Sequence, residues 1–183
     1  LDGAPHASAF HFPSVASELD AGLGLGAFSR VVERFRPPLG ALSASRRVDW
    51  VSGCSLALRA SALDRIGLFD ESFFLYFEEV DLCRRVHDAG YEVAYVHESV
   101  VAHVGGASTG IYDRDKPAPR YWFESREHYL RKHHGDAYFQ AVTWMLASTW
   151  ALSTVRYAIQ GKPPRHPPRF AGDLVRGALH RRP

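Results

Sequence analysis

The sequence predicts an α/β fold followed by a helical tail, and three observations carry that prediction. Short apolar runs at Trp50–Arg59, Tyr91–Val96 and Val100–Val104 read as strands, interleaved with helical signals at Ala60–Ile66 and from Glu78 onward. Tyr121–His134 is a charged amphipathic stretch, and Ala137–Val155 then runs 19 residues without a charge. The 183 residues, 46% hydrophobic and 23% charged, are enough to bury a real core. The division expected is residues 1–111 as the α/β part and 112–183 as a basic helical tail.

Composition narrows the class further. Cys54 and Cys83 have neither metal-ligand spacing nor the numbers of a disulfide framework, so reduced thiols are expected. Leu1–Pro13 lacks a basic segment followed by an apolar run and does not read as a signal peptide. The net charge of +2 hides an asymmetry. Residues 1–112 carry 9 basic against 14 acidic side chains, and residues 113–183 carry 13 against 6. An acidic body with a basic tail implies an anionic surface as the tail's partner. No interleaved basic and aromatic motif points to nucleic acid.

In chain order, residues 1–47 say least. Phe28–Phe35 fits a short helix stopped by Pro37-Pro38. Gly22–Gly26 looks like a dinucleotide loop only superficially, since no strand precedes it, and reads as a flexible connection. In Trp50–Arg59, small and apolar residues alternate on both faces, as in a buried strand, and Gly53 permits a close backbone approach. Gly67 supplies the C-cap of Ala60–Ile66. The helix from Glu78 puts Leu82, Cys83, Val86 and Ala89 on one face, pairs Asp81 with Arg85 on the outer side, and ends at Gly90. Gly105–Gly110 reads as a mobile loop, and Asp113 and Asp115 as solvated loop charges. Ala137–Val155 reaches spanning length, but Gln140, Thr143 and four further hydroxyl residues make it too polar to cross a bilayer. With its tryptophans and the cations Arg156, Lys162, Arg165 and Arg169, it reads as a helix lying in a membrane interface.

The stretch Phe69–Arg85 does not fit a purely structural account. Asp70, Glu71, Glu78, Glu79 and Asp81 are interleaved there with Phe69, Phe73, Phe74, Tyr76 and Phe77. Acids are rarely buried without partners, and a solvated acidic run would not carry so many rings. The mixture points to a cleft in which packed rings hold carboxylates in place. Glu78 and Glu79 fall at a helix N-terminus, where they either offset the unpaired N–H groups or are kept ionised for chemistry.

Four blocks follow one another here: VDWVSGCSLALR (Val48–Arg59), GLFDESFFLYFEEVDLCRR (Gly67–Arg85), AGYEVAYV (Ala89–Val96) and VVAHVGGAST (Val100–Thr109). Together they resemble the C-terminal half of a family 2 glycosyltransferase of the rhamnosyltransferase-like type. The resemblance implies a GT-A fold, a nucleoside-diphospho-sugar transferase architecture whose nucleotide-binding front part, with its Asp-x-Asp, is expected to precede this stretch. It implies an inverting transfer, foremost of rhamnose from dTDP-rhamnose, to a hydroxyl of a lipid-linked or cell-surface glycan. Galactofuranosyl or N-acetylglucosaminyl donors, and a non-catalytic membrane-docking or assembly module, are the alternatives.

The resemblance also implies roles. Glu79, with Glu78 beside it, would be the catalytic base, although relatives more often have Asp at the position of Glu79. His103 would help hold a divalent cation, Mg2+ or Mn2+. Trp50 is either a core ring or a sugar platform. Gly53, Asp70 and Glu71 would line the substrate side, the two acids either binding acceptor or ordering their loop. His97 receives no role. The enzyme would work in the cytoplasm, peripheral on the inner face of the cell membrane.

Overall fold

The structure, a computed structural model of the chain, describes residues 5–35, 39–40, 42–103, 115–163 and 167–179. These fall into two compact units that do not follow chain order: residues 1–13 with 36–105, and residues 14–35 with 106–183. The N-terminal segment therefore contributes to both.

The first unit mixes strands and helices. β1 (Ala9–Phe10) pairs antiparallel with β3 (Trp50–Val51), placing Ala9 opposite Val51 and Phe10 opposite Trp50. β2 (Arg46–Val48) pairs antiparallel with β4 (Val93–Tyr95), with Val48 opposite Val93. α3 (Ala60–Ile66) and α4 (Glu78–Asp88) complete it. The core gathers Ala9, Val48, Val51 and Val93 from the strands and Cys83 and Val86 from α4. The helical periodicity of the sequence predicts that α4 face, and Leu82 is buried on it as well.

Several expectations for this unit are corrected. The strand expected over Trp50–Arg59 ends at Val51; Gly53 and Cys54 turn, and residues 53–55 and 57–59 are exposed. Alternation of small residues is shared by exposed turns, so it does not establish a buried strand. Tyr91–Val96 shortens to Val93–Tyr95. Val100–His103 forms no strand and Val100 is 85% exposed, while Val104 and the Gly105–Gly110 loop lie outside the described residues. Asp81 and Arg85 do pair, at 2.9 Å, but Asp81 is fully buried rather than on the outer side. The Arg85 fork also donates to Ile66 O at 2.7 Å and Leu68 O at 2.8 Å. It thus ties α4 to the end of α3, and the neighbouring carbonyls draw the pair inward.

The second unit is helical: α1 (Val15–Leu23), α2 (Gly26–Val31), α5 (Arg120–His134), α6 (Asp136–Ile159) and α7 (Phe170–Leu179), with a 3-10 turn at Glu33–Phe35. Ser14 caps α1 through a reciprocal pair of bonds with Ser17. Gly22, expected in a flexible connection, is instead buried in α1, where a Cβ would collide with the Thr149 side chain of α6. Glycine at that crossing lets the two helices approach closely. Leu146, Ala147 and Trp150 of α6 pack on Phe170 and Leu174 of α7, with Trp150 stacked on Phe170 at 3.7 Å. Arg126 of α5 is buried, donating to Glu18 Oε2 of α1 at 3.0 Å and Thr143 Oγ1 of α6 at 3.1 Å. Among the described residues, no helix is long and apolar enough to cross a membrane.

Candidate active site

The acidic pair sits on an unusual piece of backbone. Tyr76 and Phe77 both have positive φ, 68° and 67°, a region that costs non-glycine residues about 1–3 kcal/mol each. Phe77 is the N-cap of α4 and offers no side-chain cap. Two successive left-handed residues turn the chain sharply, so that Glu78 and Glu79 open the helix side by side. Their strain persists because Phe73 is buried just before the turn and Val80, Asp81 and Leu82 just after it. Nothing in an aromatic dipeptide announces left-handed backbone, and sequence reasoning missed it.

Glu79 is largely removed from water. Its carboxylate accepts from its own backbone N–H and from that of Gly53, which holds it in the turn following β3. Burial, reinforced by the negative charge of Glu78, nevertheless raises its proton affinity above the ordinary glutamate range. The helix N-terminus expected to keep this carboxylate ionised is thus opposed by burial and by Glu78. Oε2 of Glu78 and Oε2 of Glu79 are both buried without a hydrogen-bond partner among the described residues. A buried carboxylate oxygen with a free lone pair is suited to receive a hydroxyl proton. Cys83, one helical turn on, is packed beneath the pair, and its thiol is pushed up mainly by burial.

The other predicted positions are placed as follows. Gly53 reaches Glu79 through its N–H; a Cβ there would lie 3.8 Å from Glu79 Oε1, an ordinary contact, so the absence of a side chain is not what the geometry requires. Trp50 stacks on Phe10 at 4.1 Å and donates from Nε1 to His11 O at 2.9 Å, which commits one ring face and its only donor within the protein. Asp70 accepts from Ser72 N–H at 2.9 Å and so orders its own turn; Glu71 is exposed. His103 is exposed. Among the described residues no group of three or more His, Cys, Asp or Glu side chains is gathered to hold a metal ion. The described residues therefore do not by themselves amount to a divalent-cation site.

Residues 32–125 match the family described as "Glycosyltransferase like family 2". The N-acetylglucosaminyl-diphospho-decaprenol L-rhamnosyltransferase of Mycobacterium tuberculosis (strain H37Rv) is 36% identical over 107 residues, covering 58% of this chain and 34% of the relative. Rhamnosyltransferase WbbL of Escherichia coli (strain K12) is 32% identical over 65 residues, covering 36% of this chain and 25% of the relative. The chain thus spans about a third or less of the length of these relatives. No solved structure matches it at the same stringency.

Proposed function

From the premise that the chain belongs to the family 2 glycosyltransferases, we propose that it carries the acceptor-activating half of an inverting sugar transfer. The donor is a nucleoside-diphosphate sugar, foremost dTDP-rhamnose, and the acceptor a hydroxyl on a lipid-linked glycan. The names of both relatives support rhamnose as the sugar, and one of them, an N-acetylglucosaminyl-diphospho-decaprenol L-rhamnosyltransferase, supports a lipid-linked acceptor. The mixed strands and helices of the first unit agree with the α/β class of the family, and this reading treats the chain as the C-terminal half of a GT-A fold.

The observation that carries the proposal is the Glu79 carboxylate, anchored by the Gly53 N–H and raised in proton affinity, with Oε2 unoccupied. In this reading the acceptor hydroxyl gives its proton to that oxygen as its own oxygen attacks the anomeric carbon. The bond from carbon to diphosphate breaks on the opposite face, and its electron pair leaves with the diphosphate. A base whose proton affinity lies above the usual carboxylate range takes up the proton more readily. Glu78 contributes the field that raises it.

Glu79→Gln in the complete polypeptide should lower turnover by at least about 10²-fold with donor affinity little changed. Near-normal turnover would remove Glu79 from the mechanism and make Glu78 the next residue to test. Comparing rhamnosyl, galactofuranosyl and N-acetylglucosaminyl nucleotides as donors tests the sugar assignment separately.

A further inference from the structure

α6 has two apolar faces, of which only one is buried. Phe139, Val142, Leu146, Trp150 and Ser153 point into the helical unit. On the opposite side Trp144, Leu152, Val155 and Ile159 are 44%, 65%, 59% and 82% exposed. At 100° per residue these four fall on one stripe, with Ala141 and Ser148 exposed along the same line. The chain has no charged residue between Asp136 and Arg156 to interrupt it. Isolated exposed apolar residues are ordinary, but a continuous tryptophan-bearing stripe marks an interaction surface.

Its surroundings indicate the occupant. From Ala137 through Gly172 the sequence contains no Asp or Glu, but it does contain Arg156, Lys162, Arg165 and Arg169. Lys162 and Arg169 are exposed; Arg156 is turned to Leu23 O and Gly24 O, at 2.7 and 3.2 Å. A second copy meeting this face through a two-fold axis would bring like charges together. A bilayer surface offers the required combination, anionic headgroups above an apolar layer, with tryptophan favoured at the boundary between them. The packed inner face of α6 excludes its being surrounded by lipid. We propose that the exposed face of α6 lies in the interfacial layer of an anionic lipid surface, inserted by Trp144, Leu152, Val155 and Ile159 and followed along the chain by the cations Lys162, Arg165 and Arg169.

The inference draws on the proposed lipid-linked acceptor for its biological sense, but its test needs neither donor nor acceptor. The whole protein is sedimented with vesicles of phosphatidylcholine alone or mixed with phosphatidylglycerol. Binding is expected on the anionic vesicles, weakened by high salt and at least about tenfold weaker for Leu152→Ser/Ile159→Ser. Both positions are exposed, so melting temperature and circular dichroism should match the parent. Val155→Ser gives an independent, smaller loss. Equal binding by parent and double variant would overturn the inference, as would failure to bind anionic vesicles. A concentration-dependent dimer abolished by the double variant would overturn it too, making a second copy the occupant. Loss of sugar transfer with intact vesicle binding would count against the proposed function and leave this inference standing.

Discussion

Glu79 illustrates how one side chain sets stability against chemistry. Its folded-state proton affinity is raised, first by burial and then by Glu78, with the N–H bonds of Glu79 and Gly53 opposing. Between the ordinary glutamate value of 4.5 and the raised one, the native state therefore binds more protons than the unfolded state. Stability must fall as pH rises through that window and stay lower above it. Glu79→Gln, which removes the charge, should accordingly melt higher than the parent at neutral pH. The gain should shrink as pH falls below the ordinary glutamate range, where both side chains are neutral. Equal melting of parent and variant at neutral pH would contradict the raised proton affinity. Activity should show the same group with opposite sense, the acid limb of kcat/KM lying above pH 4.5 because only the carboxylate accepts a proton. The acidic pair itself was legible in the sequence, since carboxylates among rings are hard to explain as core or as surface. Its proton affinity was not, because that depends on the buried Oε2 atoms and on the left-handed turn at Tyr76 and Phe77.

Among the elements, α3 and α4 were legible almost to the residue, because Gly67 and the Leu82, Cys83, Val86 face are strong local signals. Trp50–Arg59 was not: pairing partners decide whether an ambiguous apolar run becomes strand, and only Trp50 and Val51 find one in β1. α1 was hidden for the opposite reason. Its Gly22 resembles a loop residue in sequence but marks a helix crossing in three dimensions. The link between α3 and α4 provides a test at this scale. Arg85 holds Asp81 and the carbonyls of Ile66, Gly67 and Leu68 together. Arg85→Met removes the guanidinium partner of a fully buried carboxylate and should cost about 3 kcal/mol, the low end for a buried pair because Arg85 is itself partly exposed. Arg85→Lys should recover only part of this, since an ammonium cannot reproduce the planar fork. Chemical denaturation of the three proteins measures both differences. Full recovery by lysine would mean that charge alone matters at this joint.

In the whole molecule, the two units are assembled from interleaved stretches of chain, and the family match over residues 32–125 leaves out α1. Yet α1 supplies Glu18, whose carboxylate meets the buried Arg126 guanidinium 108 positions later in sequence. Sequence reading could not anticipate this pair, because nothing local marks two charges so far apart as partners. The structure places Arg126 at 2% exposure, where an unmatched cation is costly. Glu18→Met should therefore destabilise the protein by about 3–5 kcal/mol, most of it the cost of leaving Arg126 buried without its carboxylate. Adding Arg126→Met removes that uncompensated charge and replaces the pair with apolar volume, an exchange that is often neutral or stabilising in other proteins. The double variant should consequently be more stable than the Glu18→Met single variant, with urea denaturation as the measurement. A double variant at least as unstable as the sum of the two singles would show that packing around these side chains, rather than their charge pairing, joins α1 to α5.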